Sequence, residues 1–124
     1  MSRKVTDKKS TPRTGARHVD TVIIGSGFSG LGAAIRLSQD GKTDFIVLER
    51  GSTVGGTWRD NTYPGAACDV PSQLYSYSFA PNPNWSALHA SGSEIWQYFD
   101  DLAKQYRLRE QATFNTEVTE ARWT

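Results

Sequence analysis

The feature that most constrains this chain is the hexapeptide Gly25-Ser26-Gly27-Phe28-Ser29-Gly30, set between two segments of opposite periodicity. Before it, Thr21-Val22-Ile23-Ile24 is a β-branched run that stops at Gly25, as a buried parallel strand would. After it, from Ser29 onward, Leu31, Ala34, Ile35 and Leu37 fall at helical spacing, Ala33 and Ala34 favour helix, and Gly41 supplies a C-terminal stop. Asp44-Phe45-Ile46-Val47-Leu48 is a second apolar run, ending at the charged pair Glu49-Arg50. Strand, helix and strand make a βαβ unit, which requires a parallel pair joined by a right-handed crossover. The predicted fold class is therefore α/β, a Rossmann-like unit built on a parallel sheet.

Each glycine of the G-x-G-x-x-G pattern has a separate task. Gly25 permits the tight turn, Gly27 lets backbone approach a pyrophosphate, and Gly30 allows the helix to pack closely on the strand. The helix N-terminus then presents unpaired N–H groups and a partial positive charge to the phosphates. Glycines punctuate any tight turn, but here the strand before and the helix after are the ones the motif requires. Glu49 stands at the end of the second run, 19 positions beyond Gly30, where a carboxylate can accept from adenosine ribose hydroxyls and would repel a 2′-phosphate. The expected ligand carries an unphosphorylated adenosine ribose, as FAD and NAD do. Gly55-Gly56 can bring bare backbone close to a cofactor, and Trp58 offers a flat face that suits either a ring system or packing under a loop.

Between Gly51 and Ala90 no helical period stands out, although Leu74, Tyr75, Tyr77 and Phe79 suggest a short extended piece. So long a connection without a helix is uncommon unless it serves a function. Ser91-Gly92-Ser93-Glu94 fits a capping box, and Ile95, Tyr98, Phe99, Leu102 and Tyr106 continue it as a helix to about Arg107. Thr113 to Thr116 and Val118 to Trp123 then read as one or two strands. With 124 residues the chain has room for one domain at most. Its N-terminal stretch, residues 1–18, holds Arg3, Lys4, Lys8, Lys9, Arg13 and Arg17 against Asp7 alone, with Val5 as its only large aliphatic side chain. Such a stretch buries too little to offset ordering entropy, so a disordered basic tail is expected, followed by one ordered unit over 19–124 with no nucleic-acid partner. No apolar core follows the basic start as a secretory signal demands, and no run approaches a membrane span. The single Cys68 cannot form an internal disulfide; a cytoplasmic protein with no metal site is expected.

The segment from Glu49-Arg50 through Gly55-Gly56-Thr57-Trp58, then Tyr63-Pro64-Gly65-Ala66-Ala67-Cys68-Asp69-Val70-Pro71-Ser72 and Leu74 to Phe79, resembles the Baeyer–Villiger and related flavin monooxygenases. Tyr98 and Phe114-Asn115-Thr116-Glu117-Val118 continue the likeness, which spans about Asp20 to Trp123. The resemblance implies an FAD-binding Rossmann-like domain. It further implies FAD contacts from Gly25, Gly27, Phe28, Ser29, Gly30, Glu49, Gly56, Thr57, Trp58, Asp69, Tyr75 and the backbone of Val118. Asp69 is implied to act in catalysis beside the flavin by orienting an arginine from a later segment, and Cys68 is expected to be an inert buried thiol. Relatives often carry arginine just before the Cys-Asp pair, where this chain has Ala67.

The implied activity is that of an oxidoreductase in which NADPH reduces FAD and the reduced flavin activates O₂. Oxygen is then inserted beside a ketone carbonyl or delivered to nitrogen or sulfur. The chain contains neither a second glycine motif for NADP nor the later arginine. It is therefore expected to be the N-terminal part of an incomplete domain, inactive alone, with NADPH used only by a full-length enzyme. A non-catalytic FAD-binding or protein-binding remnant is the alternative from another class. An independent NAD-dependent reductase is the third reading, and no Tyr-x-x-x-Lys set accompanies the fold to support it.

Overall fold

The computed structural model describes residues 15–124, so most of the basic tail expected over 1–18 lies outside the described residues. The apolar run before the glycine motif forms strand β1, Thr21–Ile24, and the helical pattern after it forms helix α1, Phe28–Gln39. The second apolar run forms β2, Phe45–Leu48. β1 and β2 pair in parallel, with Thr21 opposite Phe45 and Ile24 opposite Leu48. A short strand β3, Ala112–Thr113, adds to the far side of β2, also in parallel, giving the order β1-β2-β3. The βαβ unit and the parallel sheet are thus as expected.

Alternation along the strands decides which face of the sheet is covered. Ile23, Phe45 and Val47 point into a core shared with Leu31, Ala34 and Ile35 of α1. Helix α3, Gly92–Gln105, closes the same core from beyond α1 with Ile95, Phe99 and Leu102. On the opposite face Val22 and Ile24 are 51% and 62% exposed. Helix α1 ends as the sequence suggests: Gly41 adopts φ +72°, and the N–H groups of Gly41 and Lys42 return to the carbonyls of Ser38 and Leu37.

Four local expectations need correction. First, a helix α2, Thr57–Asp60, interrupts the segment in which no helix is expected; a single turn is too short to show a period. Second, Leu74 to Phe79 is not a strand. Ser72–Leu74 forms a 3-10 turn and only an isolated bridge joins Tyr77 to Ala80, because the aromatic rings here are drawn into packing with α1 and α3. Third, of the expected C-terminal strands only Ala112–Thr113 forms. Asn115 turns the chain at φ +52°, and no strand occupies Val118 to Trp123. Fourth, the capping box at Ser91 is half made: the Ser91 hydroxyl accepts from the Glu94 N–H at 3.3 Å, but the Glu94 carboxylate accepts instead from the Ser86 N–H and hydroxyl at 2.8 and 2.7 Å.

Candidate functional site

The turn between β1 and α1 is built by distances that leave no room for side chains. Gly25 has φ +91°, and its N–H donates to the Leu48 carbonyl at 2.8 Å, carrying the parallel ladder into the turn. A Cβ at Gly30 would sit 2.0 Å from the Gly25 carbonyl oxygen, so helix and strand approach as closely as two backbones can. Gly27 differs. A Cβ there would meet only the Gly56 Cα, at the ordinary contact distance of 3.6 Å, so nothing in the chain itself demands a glycine. Gly27 is also the N-cap of α1; no side chain caps this terminus and its first turn holds no acid. An uncapped helix N-terminus beside an open cradle suits an anion.

A second glycine pair supports the first from outside. The Gly55 N–H donates to the Ser26 carbonyl at 3.0 Å, and Gly56, at φ +51°, lies so near that its Cβ would be 2.8 Å from the Gly27 Cα. The bare backbone of Gly56 thus lies against the glycine turn, whereas a Cβ at Gly55 would meet Trp96 Cδ1 at 2.5 Å. Around this junction opens a cavity of about 410 Å³, bounded by Gly25 to Gly27, Leu48 to Arg50, Gly56-Thr57 and Thr116 to Val118.

Glu49 lies at the floor of that cavity, 3% exposed. One carboxylate oxygen accepts from the Ser26 N–H at 2.8 Å and the Ser26 hydroxyl at 2.5 Å. The other accepts from the Gly51 N–H at 2.7 Å and from Arg59 Nη1 at 2.9 Å. Burial alone would raise the pKa of this carboxyl, but the hydrogen bonds from Ser26, Gly51 and Arg59 outweigh it and hold the value at about 2. Arg59 is itself fixed: Nη1 also donates to the Thr53 carbonyl at 2.6 Å, and Nε and Nη2 clasp Asp60 at 2.8 and 3.1 Å. Sequence reasoning missed Arg59. One signal was available in Gly51, where a Cβ would lie 2.3 Å from Arg59 Nη1, so a glycine directly after the Glu-Arg pair marks the space the guanidinium fills.

Of the residues singled out from sequence, Gly25, Gly27, Glu49, Gly56, Thr57 and Val118 border this one cavity. Ser29 and Gly30 lie in the first turn of α1. Phe28, Trp58 and Tyr75 form a separate aromatic group: the Trp58 indole N–H donates to the Tyr75 hydroxyl at 2.9 Å, and Phe28 meets Tyr75 edge-on at 5.2 Å. Trp58 also lines a second cavity of about 380 Å³ with Tyr63 and Trp96. Asp69 is exposed and borders neither cavity. Cys68 is buried and free, its N–H donating to the Ala90 carbonyl at 2.9 Å. Part of the Tyr63 to Phe79 block is structural. The Ser72 hydroxyl donates to the Ala87 and Leu88 carbonyls and accepts from the Ala90 N–H, while the Tyr77 hydroxyl donates to the Phe28 carbonyl.

Parallel sheet, crossover helix, glycine turn and strand-end carboxylate together define a dinucleotide-binding unit of the Rossmann type. The chain belongs to the family described as NAD(P)-binding Rossmann-like domain, which matches residues 23–102. It is 55% identical over 106 residues to a Baeyer-Villiger monooxygenase of Streptomyces coelicolor, covering 86% of this chain and 20% of that one. A Baeyer-Villiger monooxygenase of Pseudomonas aeruginosa is 51% identical over 108 residues, covering 87% and 20% respectively. Among solved structures, OTEMO in complex with FAD and NADP superposes with a TM-score of 0.79 at 35% identity, over 88% of this chain and 21% of its own. The resemblance to Baeyer–Villiger-type monooxygenases read from the sequence therefore holds. The chain spans about a fifth of the length of the curated relatives it matches. Among the described residues no helix is long and apolar enough to cross a membrane.

Proposed function

We infer that the chain binds FAD in the cavity above Glu49 and forms the FAD-binding portion of an NADPH- and O₂-dependent monooxygenase acting on ketones, nitrogen or sulfur. The observation that carries this reading is Gly27, a glycine whose Cβ position meets nothing tighter than an ordinary contact of 3.6 Å with the Gly56 Cα, at an uncapped helix N-terminus. The residues fit the group: the pyrophosphate has the α1 N–H groups of Phe28, Ser29 and Gly30 to meet, and the adenosine ribose has Glu49. Gly25, Gly56, Thr57 and the Val118 backbone border the same space. Trp58, Asp69 and Tyr75 are assigned to the flavin end. Bound FAD supplies the redox chemistry, accepting a hydride from NADPH and activating O₂. The protein's part is to hold the dinucleotide at the strand ends and keep the ribose carboxylate ionised. One glycine turn serves one dinucleotide, so the 124-residue chain by itself is read as inactive toward NADPH. The cytoplasm suits a chain whose lone thiol is free.

A non-catalytic FAD-binding role is the second reading, favoured by Asp69, which is exposed and has no cationic partner among the described residues. The deciding experiment is titration of the purified chain with FAD, comparing wild type with Gly27→Val. A side chain at 27 is expected to fill the cradle and abolish flavin retention while far-UV circular dichroism stays unchanged. Full FAD occupancy in Gly27→Val would overturn the placement of the phosphates.

A further inference from the structure

A carboxylate offers about four lone-pair sites on its two oxygens. Glu49 has all of them engaged by its own chain: two donors from Ser26 on one oxygen, Gly51 and Arg59 on the other. Any ligand hydroxyl that is to donate to Glu49 must therefore displace a donor already there. The four donors differ in how readily they leave. The Ser26 and Gly51 N–H groups are backbone, held by the glycine turn and by the ladder at the end of β2, where the Glu49 N–H donates to Thr113 and the Asn115 N–H to Gly51. Arg59 is tied by three further hydrogen bonds, to the Thr53 carbonyl and to both oxygens of Asp60. The Ser26 hydroxyl turns on one torsion and has no second partner among the described residues.

We propose that the Ser26 hydroxyl is a placeholder on Glu49, displaced when an adenosine ribose hydroxyl binds, and that Arg59 is the positioning residue that keeps the carboxylate aimed during the exchange. This rests on the reading of the cavity as a dinucleotide site and adds how that site accepts its ribose. The exchange is one hydroxyl for another on the same oxygen, so charge and hydrogen-bond count at Glu49 are conserved. Ligand affinity is then lowered by the cost of turning Ser26 away. Arg59 lines the same cavity but holds the oxygen that Ser26 does not occupy, where the Thr53 carbonyl and Asp60 fix it.

The test uses the full chain and two probes, ADP and 2′,3′-dideoxy-ADP, which differ only in the ribose hydroxyls, with binding measured by calorimetry. Ser26→Ala is expected to tighten ADP by about three- to tenfold, the range of one net hydrogen bond, and to leave the dideoxy compound within about twofold. Arg59→Ala is expected to erase most of the preference for ADP over the dideoxy probe. Arg59→Lys is expected to restore part of it, since a point charge replaces a planar fork. Unchanged or weaker ADP binding in Ser26→Ala, or equal tightening of both probes, would overturn the placeholder. Equal loss of both probes in Arg59→Ala would reduce Arg59 to a role in the fold, and a thermal melt of each variant shows whether the fold persists. If wild type binds neither ADP nor FAD, the dinucleotide reading fails and this inference fails with it. If wild type prefers ADP over its dideoxy form but Ser26→Ala changes nothing, the inference alone is wrong.

Discussion

Glu49 shows how one residue can couple stability to acidity. Its pKa lies near 2 against an ordinary 4.5, because the hydrogen bonds of the native cluster favour the charged form more than burial opposes it. A carboxyl lowered on folding contributes stability that is complete above its unfolded pKa and is lost as pH falls through its folded one. The native chain is therefore expected to weaken as pH drops from about 4.5 to about 2. Asp100, also held low, adds to the same slope: burial raises it, and the Lys104 and Arg109 ion pairs at 2.6 and 3.0 Å lower it further than that. Glu49→Gln is expected to cost about 2–3 kcal/mol at neutral pH by leaving Arg59 without its buried partner. It is also expected to flatten the acid slope, and melting temperatures measured from pH 7 down to pH 2.5 in both proteins check this. An equally steep slope in the variant would place the acid sensitivity elsewhere. Glu49 itself was legible from its spacing to the glycines. Arg59 carries no periodic signal, since a salt bridge spanning ten positions across a loop has none, and only the glycine at 51 marks the space it fills.

At the scale of elements, period made some parts readable and the lack of it hid others. β1 and β2 are continuous apolar runs and α1 and α3 carry a period of about 3.6 residues, and all four stand where the sequence places them. The loop from Gly51 to Ala90 has no such repeat. Its form comes from single contacts over long sequence distance, such as the Tyr77 N–H donating to the Tyr98 hydroxyl and Trp96 Nε1 to the Val54 carbonyl. Gly to Ala inside a helix normally gains about 1 kcal/mol. At Gly32 in α1, however, the new Cβ would lie 2.8 Å from Tyr77 Cε1, and Tyr77 is buried and anchored to the Phe28 carbonyl through its hydroxyl. Overpacking of this kind costs about 1–3 kcal/mol, so Gly32→Ala is expected to destabilise by about 1 kcal/mol net. Denaturant titration checks it: a midpoint at or above wild type would mean that Tyr77 yields without cost.

For the molecule as a whole, the sheet is covered on one face only among the described residues. Parallel sheets are normally covered on both faces, yet here α1 and α3 cover one, while Val22 and Ile24 stand open on the other at an edge strand. An exposed apolar edge invites pairing with another chain. Self-association that grows with concentration is expected, and Val22→Thr combined with Ile24→Thr is expected to reduce it while leaving the core intact. Light scattering over a concentration series measures this, and unchanged association in the double variant would direct attention away from β1. The open face was not legible in the strand's own residues, since it shows only when α1 and α3 are seen to share one side of the sheet.

The contact between Gly27 and Gly56 has a consequence for how this chain can vary. The two α-carbons face each other so closely that a methyl at 56 has nowhere to go, and the φ of +51° forbids most side chains in any case. A methyl at 27 would fit the empty chain but not one holding a diphosphate. On the proposed reading, position 56 is constrained by folding and position 27 by the bound diphosphate, although they touch. A chain that held no dinucleotide would therefore tolerate alanine at 27 but not at 56, so the two touching glycines answer to different tests, one of folding and one of binding.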